Sequence, residues 1–147
     1  MRTKEELKQL AIDAIDKRRD DIIKIGDSIF EEPELGFKEV KTAEKIKKIL
    51  DELNVEYEDK IAITGIKAKL KGKESKYNVG VMGELDSVVS PTHPFADKET
   101  GAAHCCGHNA MIASLMGVLY ALKDTDIMED LAGDVSLLAI PAEEYVE

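Results

Sequence analysis

Residues 78–86 read NVGVMGELD, a compact apolar run that ends on the carboxylates of Glu84 and Asp86. Such a run, too short for a helix and dense in valine, suits a β-strand buried on both faces. On its amino side, VEYED (55–59) and TGIKAKLKG (64–72) alternate apolar with polar residues, as strands with one wet face do. The basic stretch KGKESK (71–76) between them and the central run is simplest as a solvated hairpin turn. On the carboxyl side, a helix is expected from about Ala110 to Leu122, and GDVSLLAIPAEE (133–144) reads as another apolar strand, halted by Pro141.

Upstream, the pattern changes to a helical period. Between Lys4 and Phe30, apolar residues fall at Leu7, Leu10, Ala11, Ala14, Ile15, Ile22, Ile25 and Ile29, which predicts one amphipathic helix. It should stop near EEPELGF (31–37), because Pro33 lacks an amide hydrogen and Gly36 suits a turn. A second helix, about Lys38 to Leu53, carries Val40, Ala43, Ile46, Ile49, Leu50 and Leu53 on one face. Helices and strands therefore interleave, which predicts an α/β sandwich with a mixed sheet. At 147 residues, 44% of them hydrophobic, the chain has room for one domain with a substantial core.

The formal charge of −10 argues against nucleic acid as a partner, since phosphate-tracking surfaces are basic. No apolar run is long enough to span a membrane, and the start alternates charged with apolar residues, unlike a secretory leader. A cytoplasmic location is expected. Cys105 and Cys106 are adjacent and ill-suited to a structural disulfide, so reduced thiols point to metal binding or catalysis.

HCCGHN (104–109) holds two of the three histidines and both cysteines. It falls at the amino end of a predicted helix, while Glu84 and Asp86, and then Glu143 and Glu144, follow the carboxyl ends of predicted strands. Ligands of open α/β sheets bind in the crevice at those ends, so the three clusters can share one site. A helix amino end lowers thiol pKa and favours the metal-binding thiolate. Thiolate, imidazole and carboxylate together suit Zn²⁺ or a similar ion. Plainer roles exist for each residue: a buried thiol beside a hydrogen-bonded histidine, a solvated acidic pair at 143–144, and a turn cap at Asp86. His93, between turn residues, is expected to be exposed, and Met111, Met116 and Met128 to pack.

Taken together and in this order, PELGF, GELDSV, HCCGHN and PAEE resemble the M20 family of metallopeptidases, in its amidohydrolase branch (M20D). The asparagine of CGHN and the form GE-x-D are most similar to the members like aminobenzoyl-glutamate hydrolase. The resemblance implies the zinc-exopeptidase (aminopeptidase-like) α/β fold, incomplete at the carboxyl end. Residues 1–147 would then be the amino-terminal part of the catalytic domain, without the inserted lid and dimerisation domain. It implies two divalent metal ions, Zn or Mn, with Cys106, His108 and Glu144 as ligands. Glu143 is implied as the general base that activates metal-bound water, and Asp86 as a residue that orients a ligand; Glu84 stands where other branches have a histidine. His104 has a counterpart in the family and is placed beside the ligands. The implied reaction is hydrolysis of an amide bond in an N-acyl amino acid or dipeptide-like substrate, by an intact protein that forms a homodimer. The segment alone is expected to be inactive, since further histidine ligands come from later in such chains.

Two other readings remain open from the residues. One is a non-catalytic binding protein that retains the fold, and the other is a redox protein that uses the vicinal thiols Cys105 and Cys106.

Overall fold

The computed structural model describes residues 2–145; Val146 and Glu147, the end of the segment, lie outside the described residues. Helix α1 (Lys4–Lys17) starts on a reciprocal cap, in which the Glu6 N–H donates to the Thr3 hydroxyl and the Thr3 N–H to the Glu6 carboxylate. Helix α2 (Arg19–Phe30) follows after a break at Arg18, so the single helix expected from Lys4 to Phe30 is two. The Arg18 side chain at this junction is held by three contacts. Its guanidinium reaches Asp124 at 2.6 Å and Asp21 at 3.0 Å, and lies 4.8 Å from the centre of the Tyr120 ring.

Helix α3 (Val40–Glu52) buries Ala43, Ile46, Ile49 and Leu50 as its periodicity predicts, but Val40, in its first turn, points outward. Strands β1 (Tyr57–Ile61), β2 (Gly65–Leu70) and β3 (Asn78–Glu84) come next, then a two-stranded ribbon of β4 (Val88–Val89) and β5 (Ala102–Ala103). Helix α4 (His108–Lys123) leads through a short 3₁₀ turn at Ile127–Glu129 to β6 (Asp134–Ile140). The sheet order is β1-β2-β6-β3. β1 and β2 are antiparallel, β2 and β6 antiparallel, and β3 and β6 parallel, which is the mixed α/β sheet expected.

Two expectations change with that order. β3 was expected to be buried, yet it lies at the sheet margin, flanked only by β6 among the described residues, so Val79 and Met82 are exposed. KGKESK is not a hairpin turn, because β6 separates the strands that it joins. It crosses the start of β6, where Lys73 and Lys76 donate main-chain hydrogen bonds to Leu131 and Ala132.

Ile66 and Ala68 of β2 and Leu137 and Ala139 of β6 meet Ile46 and Leu50 of α3 and Leu115 and Met116 of α4 in one apolar core. Ile29, Leu85, Ile112 and Leu119 complete its interior. Among the methionines, Met116 is buried and Met128 packs against the core, whereas Met111 is exposed. No described helix is long and apolar enough to cross a membrane.

Asp134 ties the crossing loop to the sheet. It is buried, and accepts hydrogen bonds from the Gly72 N–H at 2.9 Å and the Ser75 hydroxyl at 2.6 Å, with Lys69 at 2.7 Å. The Lys69 ammonium and these donors hold its carboxyl down at about 2, against an ordinary 3.8. Stability from this group is present above pH 3.8 and should be lost as pH falls toward 2. Thermal unfolding of Asp134→Asn should show a lower midpoint than wild type at neutral pH, with the gap narrowing across that acid window. Truncating the core at Leu119→Ala should cost about 2–5 kcal/mol in urea unfolding, since nothing adjacent can collapse fully into the space.

Candidate metal centre

The parallel register of β3 with β6 pairs Glu84 with Ile140, so both strands deliver their carboxyl ends to one edge. Asp86 follows β3 and the 141–144 turn follows β6. Gly107 then takes a left-handed conformation (φ 92°) and starts α4, which sets His108 over that edge. A side chain at position 107 would be strained in this conformation.

His108 is buried, and its Nδ1 lies 2.9 Å from the main-chain oxygen of Asp86. A carbonyl oxygen only accepts, so Nδ1 carries a hydrogen, and Nε2 is turned the opposite way. It faces carboxylates. Glu84 is at 2.8 Å, Glu143 at 3.8 Å and Glu144 at 3.9 Å from Nε2. Ligand atoms of Glu84, His108 and Glu143 all lie within 4.8 Å of one another. Among the described residues these three glutamates pair with no lysine or arginine.

Asp86 is fully buried. Its Oδ2 accepts the Glu144 N–H at 2.9 Å, while Oδ1 sits 3.3 Å from His108 Nδ1 and has no hydrogen-bond partner among the described residues. One buried carboxylate thus touches both the imidazole and the turn that carries Glu143 and Glu144. His104 is buried beside them, with neither ring nitrogen hydrogen-bonded among the described residues. Burial first, and then the neighbouring His108, lower its pKa to about 4 against the opposing pull of Asp86, so the ring is neutral near pH 7.

Cys106 corrects one expectation. Both cysteines are exposed, and the Cys106 thiol faces the Glu144 carboxylate. That contact, with a smaller contribution from burial, pushes its pKa up to about 11, so without a cation the nearby carboxylate outweighs the helix end that was expected to lower it. A bound cation reverses this balance, because it stabilises the thiolate directly.

The predicted set of Cys106, His108, Glu143, Glu144, Asp86 and His104 is therefore gathered at one place, with His93 apart from it, half-buried against Phe30 and Phe95. Glu84, which the sequence places in the shared crevice without a role of its own, lies nearest to His108 Nε2 of the three glutamates. Its signal was the two-residue spacing from Asp86, which puts alternate residues of an extended chain on one side. Imidazole and carboxylate donors that converge at Glu84, His108 and Glu143, with the Cys106 thiol beside Glu144, fit a divalent transition ion.

Comparison with known proteins agrees with this geometry. The model of peptidase family M20/M25/M40 matches residues 80–147. N-acetylcysteine deacetylase of Bacillus subtilis (strain 168) is 34% identical over 127 residues, covering 84% of this chain and 33% of that protein. N-acyl-L-amino acid amidohydrolase of Geobacillus stearothermophilus is 30% identical over 145 residues, covering 97% of this chain and 38% of its own. A Bacillus subtilis crystal structure, described as a dinuclear metal binding peptidase from the M20 family, superposes with a TM-score of 0.74 at 33% identity, over 84% of this chain and 35% of that one. The chain thus spans about a third of the length of these relatives. In motif order, in fold and in the family model that runs through the carboxylate cluster, the chain matches peptidase family M20.

Proposed function

We propose that this chain supplies part of a two-metal site for hydrolysing the amide bond of an N-acyl amino acid or a small peptide-like substrate. The observation that carries the proposal is the His108 ring, whose Nδ1 is held by the Asp86 main-chain oxygen while Nε2 faces Glu84, Glu143 and Glu144 within 3.9 Å. Cys106, His108 and Glu144 would hold the metal. Divalent ions bound there polarise a carbonyl and lower the pKa of water.

The protein's own groups supply the rest. Glu143, whose side chain is 47% exposed, takes the proton of the attacking water and passes it to the leaving amine. Asp86 fixes the ring of His108 through its main-chain oxygen and holds the Glu144 backbone through its carboxylate. His104, neutral and buried, keeps the floor of the site free of positive charge that would repel the ions.

The names of the amidohydrolase and deacetylase relatives support an N-acyl amino acid as substrate. CGHN and GE-x-D support the aminobenzoyl-glutamate hydrolase-like branch. Zn²⁺ or Mn²⁺, a homodimer and a cytoplasmic setting complete this reading, and rest on the sequence. The alternative redox role for Cys105 and Cys106 fits poorly with a Cys106 thiol whose pKa is raised to about 11, because the thiolate is the reactive form.

Metal content by plasma mass spectrometry, together with hydrolysis of N-acyl amino acids, tests the proposal. In the full-length protein, Glu143→Gln should retain the metal and lose at least about 100-fold in kcat, the range of a missing general base. Unchanged turnover in that variant removes Glu143 from the role. His108→Ala should lose the metal, and Zn²⁺ should protect Cys106 from thiol reagents; a Cys106 that reacts equally with and without Zn²⁺ is not a ligand.

A further inference from the structure

The 141–144 turn is held from two sides, and one of its holders lies outside every cluster considered so far. Glu39, at the start of α3, is fully buried. A buried carboxylate is costly unless hydrogen bonds replace its water, and each oxygen of Glu39 has one partner. Oε2 accepts the Thr64 hydroxyl at 2.6 Å, and Oε1 accepts the Ala142 N–H at 2.8 Å. Glu39 does not cap its own helix. That task falls to Glu34, whose carboxylate accepts the Lys41 and Thr42 N–H groups at 3.0 and 2.8 Å.

We propose that Glu39 is a positioning residue, which sets Glu143 and Glu144 against His108 by gripping the main chain at Ala142. Ala142 is left-handed (φ 55°), a conformation that a non-glycine residue keeps only when its surroundings hold it. Two residues on, Asp86 holds the Glu144 N–H at 2.9 Å. Glu143 is therefore the one residue between two buried carboxylate tethers, and its side chain has a defined origin although it is half exposed. The segment around Glu39 completes the cradle. Gly36 comes so close that a Cβ there would lie 3.0 Å from the Ala142 Cβ, and the Phe37 ring packs against Tyr145 with 5.1 Å between centres. The PELGF motif and the glutamate two residues beyond it thus act on PAEE, more than a hundred residues later.

This inference rests on the proposed roles of Glu143 and Glu144, and its test separates the two ideas. The first readout is amide hydrogen exchange at Ala142 and Glu144, followed by NMR. The second is Co²⁺ affinity from the visible spectrum. In wild type, Ala142 should be protected to the degree of the β6 amides. Glu39→Ala should speed its exchange at least about 10-fold and weaken Co²⁺ binding about 10-fold. Glu39→Gln, whose amide oxygen can accept the same N–H while its NH₂ donates to Thr64, should restore both to within about threefold of wild type.

An alanine variant with a lower melting point but unchanged Co²⁺ affinity would reduce Glu39 to a structural anchor and overturn the proposal. So would a glutamine variant that behaves like alanine. If Glu39→Ala does not fold, wild-type exchange decides, since an unprotected Ala142 amide denies the grip outright. Full-length wild type that binds no Co²⁺ refutes the metal reading, and the exchange data then judge Glu39 alone.

Discussion

Everything at the site depends on the parallel pairing of β3 with β6. Parallel strands point their carboxyl ends the same way, so the chain beyond Glu84 and the chain beyond Ile140 emerge side by side although 56 residues separate those positions. A one-residue slip would turn Glu84 and Asp86 to the other side and separate them from His108. The register is secured at the opposite end of β6, where Asp134 pairs with Asn78 and its carboxylate gathers the loop from β2. Structure far from the chemistry thus fixes the distances within it.

A cluster of carboxylates around an imidazole is unfavourable unless something positive joins it. The protein commits hydrogen bonds to keeping the arrangement. Asp86 spends its main-chain oxygen on His108 and a side-chain oxygen on Glu144, which fixes the orientation of the ring. Such a site is prepared for a cation before one arrives, and the raised Cys106 pKa expresses the same surplus of negative charge.

Much of this was legible in the sequence because it follows from local rules. The helical period located α3, alternation located β1 and β2, and the residues flanking strand ends located the carboxylates. The misreadings all concern neighbours. NVGVMGEL is apolar enough for a central strand, and nothing in its composition shows that it lies at the margin. KGKESK has turn chemistry, but strand order decides whether a turn closes a hairpin. At the junction of α1 and α2, Arg18 pairs with Asp124, a partner that no window around residue 18 contains. Glu39 is the clearest case, since a glutamate at the start of a charged helix gives no local sign that it is buried and spoken for by Thr64 and Ala142.

The order of the sheet also dictates when the protein can exist. β6 lies between β2 and β3, so the ribbon of β1 and β2 and the lone β3 have no common partner until the segment ending at Ile140 is present. A ribosome releasing the chain exposes four helices and three strands of the main sheet before the piece that unites them emerges. Formation of the sheet and assembly of the carboxylate cluster are therefore one late event, slow in the manner of long-range pairing. Until then the nascent chain holds its apolar helix faces without a sheet to cover them, which makes it a natural client for chaperones during synthesis.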